Sequence, residues 1–274
     1  MNTTNIPLGP IIAKGRTAEV FVMSDDRIIK LFHEWCPARW IQREIEIAKA
    51  LSSMPIPAPK IIDQLEIDGR TGIIYERVNG TSMLKLANTK PWLLFRFARQ
   101  LAELHTEIHK HEVNGFPSQR TSLIETIQRL KSLPPDLKSG SLRLLERLPD
   151  GQTLCHFDFH PDQVLLTENG PVIIDWMTAQ QGHPHCDVAR TCVILKFGQI
   201  PYGGRLMRTI VNIWRDFFLR AYLTRYLELH PGLSREEIVQ WMIPVAAGRL
   251  DEEIPGEREP ILRFIQSHLP AHPG

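Results

Sequence analysis

The sequence predicts an α+β chain, β-rich in its first third and mainly helical beyond. Three observations carry that expectation. Short β-patterned runs separated by turn residues fill residues 11–32 and 61–77. From Leu94 onward, apolar residues recur at three- and four-residue spacing. Within this helical part, residues 154–176 break the spacing with two apolar runs about a turn, which reads as one embedded hairpin.

Ile11-Ile12-Ala13, Glu19-Val20-Phe21-Val22-Met23 and Arg27–Phe32 read as a three-stranded meander, with Ser24-Asp25-Asp26 as its second turn. Its first connection, Lys14-Gly15-Arg16-Thr17-Ala18, carries the meander's only glycine. At about Arg39 the period changes. Ile41, Ile45, Ala48 and Leu51 predict an amphipathic helix with Arg43, Glu44 and Lys49 on its other faces. The prolines of Met54-Pro55-Ile56-Pro57-Ala58-Pro59 stop it. Strands follow at Ile61–Ile67 and Gly72–Arg77, turned by Asp68-Gly69. Asn79-Gly80 then reads as a break and places a lobe boundary near Val78, dividing the chain into residues 1–78 and 79–274.

In the second part, Leu94, Phe97, Leu101, Leu104 and Ile108 mark a helix buried along one stripe. Further helices are expected at Ser122–Leu133, ended by Pro134-Pro135, and at Ser141–Leu148. Four more are expected at Cys186–Phe197, Leu206–Leu229, Arg235–Leu250 and Pro260–Leu269. The hairpin pairs Val164-Leu165-Leu166 with Val172-Ile173-Ile174 around Glu168-Asn169-Gly170.

Composition mainly excludes. The 274 residues carry 32 Lys+Arg against 31 Asp+Glu, a formal charge of +1, which argues against a protein built to grip a nucleic-acid backbone. No apolar run is long enough to span a membrane, and Met1–Pro10 lacks the pattern of a secretory signal, so a cytoplasmic location is expected. Four scattered cysteines without a CxxC pair read as reduced thiols. The eleven histidines are less ordinary, because four of them, His156, His160, His183 and His185, crowd one stretch with Asp158, Asp162 and Asp175.

That stretch carries the chemistry. Asp158 precedes the hairpin and Asp175 ends it, so the returning chain can bring both carboxylates to the same end. Such a pair suits phosphoryl transfer, one carboxylate orienting or deprotonating a hydroxyl and the other holding Mg²⁺ against the phosphates. Lys30 lies near the end of an apolar strand and needs a partner for its charge, for which Glu44 is the natural candidate. The Lys14–Ala18 loop offers backbone N–H groups that can drape over phosphates. A different reading takes His156, Asp158, His160, Asp162, His183 and His185 as the ligands of a metallohydrolase.

The segment His156-Phe157-Asp158-Phe159-His160-Pro161-Asp162-Gln163 resembles the H-G-D-x-H-P-x-N loop of the aminoglycoside phosphotransferase and choline kinase branch of the protein-kinase-like superfamily. Ile173-Ile174-Asp175-Trp176 matches that branch's following aspartate element. Gly182–Pro184 with Asp187-Val188-Ala189 matches its G-x-P-x-x-D-x-A segment. Lys30, Glu44 and Glu76–Val78 fall where the strand lysine, its glutamate partner and the lobe hinge belong, so the likeness runs along nearly the whole chain.

The resemblance implies a protein-kinase-like bilobal fold and an ATP- or GTP-dependent phosphotransferase that uses Mg²⁺. It makes Asp158 the catalytic base and Asp175 a metal ligand, with Gln163 standing where the family has its metal-binding asparagine. It assigns the nucleotide to Lys30, Glu44, Gly15, Arg16 and Thr17, and the adenine to backbone groups of Glu76, Arg77 and Val78. His156 and Asp187 become structural supports of the loop. Asp187 stands only twelve positions after Asp175, no Ala-Pro-Glu follows, and His160 replaces the lysine of Ser/Thr kinases, which together imply a small acceptor rather than a peptide. Acceptor contacts are expected at His160, Asp251 and Glu252, although the run Arg249–Ile254 also reads as a solvated charge run. Trp214, Phe217, Phe218 and Tyr222 read either as core or as the wall of a pocket. A pseudokinase that binds nucleotide without transfer stays open beside the active enzyme, motivated by Gln163. The acceptor itself is left open among aminoglycosides, amino alcohols such as choline, and similar metabolites.

Overall fold

The computed structural model describes residues 8–198 and 204–269. Strands β1 (Ile11–Lys14), β2 (Ala18–Val22) and β3 (Arg27–Phe32) form the expected meander. After helix α1 (Ala38–Ser52), β4 (Ile61–Ile67) and β5 (Arg70–Glu76) complete a five-stranded sheet of order β1-β2-β3-β5-β4, antiparallel at every pairing. The β4–β5 turn places Asp68 and Gly69 at φ 49° and 77°, the two left-handed residues that a tight hairpin turn requires. Alternation along β3 then sorts its side chains. Ile29 and Leu31 join Ile67 and Ile74 on one face, while Phe32 joins Ile41 and Ile45 of α1 on the other. Lys30 shares the parity of Phe32, so the strand delivers its ammonium to the helix side.

Next come β6 (Thr81–Ser82), α2 (Met83–Thr89), α3 (Leu94–Ile108), α4 (Gln119–Arg129) and α5 (Pro135–Arg147). Helix α5 begins six residues before the expected Ser141. Helix α4 ends at Arg129, short of the expected Leu133, and Pro135 sits in the first turn of α5, where a missing N–H costs nothing, so the Pro-Pro pair opens a helix rather than ending one. Strands β7 (Thr153–Cys155), β8 (Val164–Thr167), β9 (Gly170–Ile173) and β10 (Gln180–Gly182) follow, then helices α6 (Pro184–Phe197), α7 (Arg205–Leu229), α8 (Arg235–Arg249) and α9 (Arg258–His268). The β8–β9 hairpin forms with Thr167 paired to Gly170, so Gly170 opens β9 rather than closing the turn, and β10 pairs with β7. Ser234 and Glu237 close a capping box at the start of α8.

The chain separates into two compact units. The first runs to Leu86 and adds Asp162–Met177; the second comprises Ala87–Pro161 and the residues from Thr178. The hairpin is thus grouped with the sheet, unlike the single division near Val78 expected from the sequence. Two contacts account for this: β6 pairs with β8, and Ile173 N donates to Pro57 O at 2.6 Å. In the second unit α3 packs along α7 and α6 along α8. Phe218 and Tyr222 lie in that core, whereas Trp214 and Phe217 are exposed. All four cysteines are buried and free, and no described helix is long and apolar enough to cross a membrane.

Candidate active site

The site residues fall into two groups, one in each unit. In the sheet unit, Lys30 Nζ lies 2.8 Å from Glu44 Oε1 and 3.2 Å from Asp175 Oδ1. The Tyr75 hydroxyl donates to the same Glu44 oxygen at 3.1 Å. Glu44 is one turn from Ile41 and next to Ile45, the α1 residues that pack on the sheet, so helical periodicity buries it opposite Lys30. Burial opposes the lysine charge, yet the Glu44 and Asp175 carboxylates outweigh it and raise the ammonium above its ordinary pKa. Lys30 is therefore a fixed cation.

The hairpin positions the two expected metal ligands. Ile174 N donates to Gln163 O at 2.9 Å, extending the β8–β9 ladder by one step beyond Val164–Ile173. Gln163 and Asp175 thus lie at the same end of the hairpin. Asp175 has φ 59°, a left-handed conformation unusual outside glycine and asparagine, and its side chain is 48% exposed. A carboxylate and an amide oxygen at one end of a hairpin are hard donors of the kind Mg²⁺ takes, so this donor set fits that ion.

The remaining nucleotide-side residues are placed as follows. Gly15 N bonds Ala18 O at 2.9 Å, and Thr17 Oγ1 lies 3.6 Å from Met177 Sδ. Arg16 lines a cavity of about 380 Å³ with His33, Glu34, Trp35 and Arg70. At the hinge, Glu76 N bonds Lys60 O and Arg77 N bonds Asp26 O, which spends two of the three N–H groups expected to meet adenine.

In the helical unit, α6 grips the loop around Asp158 with residues one turn apart. Asp187 accepts from His156 N at 2.7 Å and from Phe157 N at 2.8 Å. Arg190 Nε donates to Phe157 O at 3.1 Å, and Thr191 Oγ1 donates to Phe159 O at 2.7 Å. His156 Nδ1 accepts from Asp158 N at 3.3 Å, and Thr178 Oγ1 donates to His156 O at 2.9 Å. These bonds hold Phe157 at φ 61°, a conformation costing a bulky side chain about 1–2 kcal/mol, immediately before Asp158.

Asp158 Oδ1 lies 3.6 Å from Arg190 Nη2 and its Oδ2 lies 3.7 Å from His160 Nε2. Burial pushes this carboxyl up, but His160, Arg190 and His156 outweigh burial and hold it at about 2. Substituting Arg190→Gln is expected to raise that value, read by carbon-13 NMR of the carboxyl. An unmoved titration would show that Arg190 does not act on Asp158.

Glu252 and Asp251 do not stand as open charges. Glu252 bonds Arg190 Nη2 at 2.5 Å and Arg249 Nη1 at 2.9 Å, and Arg249 pairs in turn with Glu257. Asp251 makes a two-point pair with Arg129. The sequence reading missed Arg190 and Thr191. Their three- and four-residue offsets from Asp187 were the available signal.

The metallohydrolase set is not gathered. Among the described residues, the one group of three metal-capable side chains whose ligand atoms lie within 4.8 Å of one another is His105, His109 and Asp187. His183 instead caps α6, accepting from His185 N, and stacks on Trp241.

Burial and the neighbouring His105 lower His109 to about 4, against the opposing pull of Asp187. Protons then bind the unfolded chain in preference between the ordinary value of about 6.5 and about 4. This contribution, about 3 kcal/mol, is complete above pH 6.5 and is lost as the pH falls through 4. Denaturant melts across this range should show that loss in the native protein and a flatter dependence in His109→Gln. Parallel curves would remove His109 as its source.

A family model described as the phosphotransferase enzyme family matches residues 10–237. Among solved structures, a thermostable mutant of aminoglycoside phosphotransferase APH(4)-Ia, in ternary complex with AMP-PNP and hygromycin B, superposes with TM-score 0.61 at 16% identity, over 97% of this chain and 92% of that one. Aminoglycoside phosphotransferase APH(3'')-Id from Streptomyces rimosus, in complex with ADP and streptomycin, gives 0.56 at 17% identity, over 88% and 93%. Choline kinase from Cryptosporidium parvum gives 0.53 at 15% identity, over 98% and 88%. With its sheet-and-helix units and its family match, this chain belongs to the phosphotransferase enzyme family and has the protein-kinase-like fold of these small-molecule kinases.

Proposed function

We propose that the protein transfers the γ-phosphoryl group of ATP or GTP to a hydroxyl of a small molecule. The observation that carries this reading is Lys30, a half-buried ammonium held between Glu44 and Asp175. Its charge is held in place for phosphate oxygens, and its two carboxylate partners keep it ionised in a desolvated position. Gly15, Arg16 and Thr17 would cover the phosphates. Adenine would meet the hinge through carbonyls and the Val78 N–H, the one N–H of Glu76–Val78 that no described residue takes up.

Asp175 and Gln163 would hold Mg²⁺, which when bound draws charge from the phosphate oxygens. Asp158 accepts a hydrogen bond from the acceptor hydroxyl. As that oxygen attacks phosphorus, the bond to the nucleoside diphosphate breaks and the hydroxyl proton passes to Asp158. A carboxylate at about 2 is a weak base, so it orients the hydroxyl and takes the proton late, as a loose phosphoryl transition state allows. His156 and Asp187 shape the loop from behind.

The acceptor is an alcohol of aminoglycoside, amino-alcohol or related type, with His160 beside the base. Asp251 and Glu252 would contact an acceptor amine only by sharing it with their arginine partners. Nucleotide binding is tested by thermal shift with ATP or GTP and Mg²⁺. Stabilisation by nucleotide that vanishes in Lys30→Ala supports the reading, and no stabilisation by either nucleotide contradicts it.

A further inference from the structure

We infer that His109 and Tyr226, with His105 and Tyr222 beside them, form a buried positioning network that sets the catalytic loop through Asp187. The inference rests on the proposed role of that loop in phosphoryl transfer. The two histidines are one turn apart, His105 in the last turn of α3 and His109 at its C-cap, and the two tyrosines are one turn apart on α7, so helix packing lays down two parallel rungs. In the first, the Tyr226 hydroxyl is 2.9 Å from His109 Nδ1, and His109 Nε2 is 3.3 Å from Asp187 Oδ2. In the second, the Tyr222 hydroxyl is 2.6 Å from His105 Nδ1, and His105 Nε2 approaches the same Asp187 oxygen at 3.1 Å. The His105 ring also packs on Phe159 of the loop, with centroids 4.7 Å apart. Side-chain exposures of His105, His109 and Asp187 are 0, 3 and 0%.

Hydrogen-bond bookkeeping leaves one arrangement for the His109 rung. An ionised Asp187 only accepts, and it already takes the N–H groups of His156 and Phe157. His109 Nε2 must therefore carry hydrogen, its Nδ1 must accept, and the Tyr226 hydroxyl must donate. The polarity runs one way, from tyrosine through imidazole to carboxylate, and ends on the two loop N–H groups that precede Asp158. The His105 rung is weaker. Its Nε2 faces Asp187 off the hydrogen-bond axis and has no aligned partner among the described residues. Loss of His109 leaves Asp187 free to tilt within a cavity, and the strained Phe157 turn follows it. A displacement of about 1 Å at Asp158 is enough to slow transfer on the order of a hundredfold.

The test uses the full chain and four measurements on each variant: kcat, nucleotide KM, melting temperature, and amide hydrogen exchange at His156 and Phe157. His109→Leu should lower kcat on the order of tenfold or more with nucleotide KM within about twofold, and speed exchange at both amides. His109→Gln, whose Nε2–H can reach Asp187, should recover most of kcat. Tyr226→Phe keeps the ring and removes only the hydroxyl, so it carries the test if His109→Leu does not fold, with a several-fold fall expected. A lowered melting temperature with unchanged kcat and exchange would reduce the network to packing and overturn the inference. So would His109→Gln as slow as His109→Leu, or one equivalent of transition metal retained by the native protein and lost in His109→Leu. Faster exchange in a protein that transfers phosphate to no acceptor would uphold the network and overturn the proposed reaction instead.

Discussion

Asp158→Ala should abolish phosphoryl transfer, by on the order of a thousandfold or more, while nucleotide affinity stays within about threefold. The split follows from where the residues lie. Lys30, Glu44, Asp175 and Gln163 belong to the sheet unit and Asp158 to the helical unit. In the helical unit Arg190 keeps Glu252 and the Phe157 carbonyl, so the loop retains its hold after the carboxylate is gone. Asp158→Asn should behave similarly, because an amide preserves shape but accepts a hydroxyl proton poorly. Single-turnover transfer and calorimetric nucleotide binding on the same preparations give both numbers. Retained transfer would remove Asp158 from its role.

Asp175→Asn should lose both transfer and the Mg²⁺-dependence of nucleotide binding. Asparagine is the informative replacement, since it tolerates the left-handed backbone at φ 59° and removes only charge. Lys30 remains paired to Glu44 at 2.8 Å, so the sheet unit should melt near the native temperature. A fall in kcat on the order of a hundredfold or more is expected, with nucleotide affinity no longer responding to Mg²⁺. Titrating Mg²⁺ at fixed nucleotide reads this directly. An intact Mg²⁺ response would place the metal on other ligands. The two aspartates therefore make opposite predictions for nucleotide binding and the same prediction for transfer.

Local pattern made much of this legible. Lys30 was conspicuous as a charge in an apolar strand with Glu44 as its natural partner, but the pattern set Glu44 on another face of α1, whereas the structure buries it beside Ile41 and Ile45. The hairpin was readable from its turn, and with it the place of Asp175 at its end. What escaped depended on partners far along the chain or on helices without a polar face. Helix α6 is buried almost all round, so the offsets of Arg190 and Thr191 from Asp187 did not stand out as a polar face. The run around Asp251 and Glu252 read as either acceptor site or solvated charge. Its actual partners, Arg129 and Arg190, lie 122 and 62 residues away. His105 and His109 carry no motif of their own, and their partners Asp187 and the tyrosines of α7 lie 78 to 117 residues along the chain. Pro135 was taken as a stop because a proline's place within a helix, first turn or interior, decides its meaning.

The most direct test of the central claim is acceptor-dependent release of nucleoside diphosphate. It would be measured with ATP and with GTP in the presence of Mg²⁺, over a panel of aminoglycosides, amino alcohols and other hydroxyl metabolites. At least one acceptor should yield diphosphate and an equal amount of a phosphate monoester, seen by phosphorus-31 NMR, with both products lost in Asp158→Ala. Nucleotide binding without turnover across the whole panel would contradict the account and make the protein a nucleotide-binding relative of these kinases.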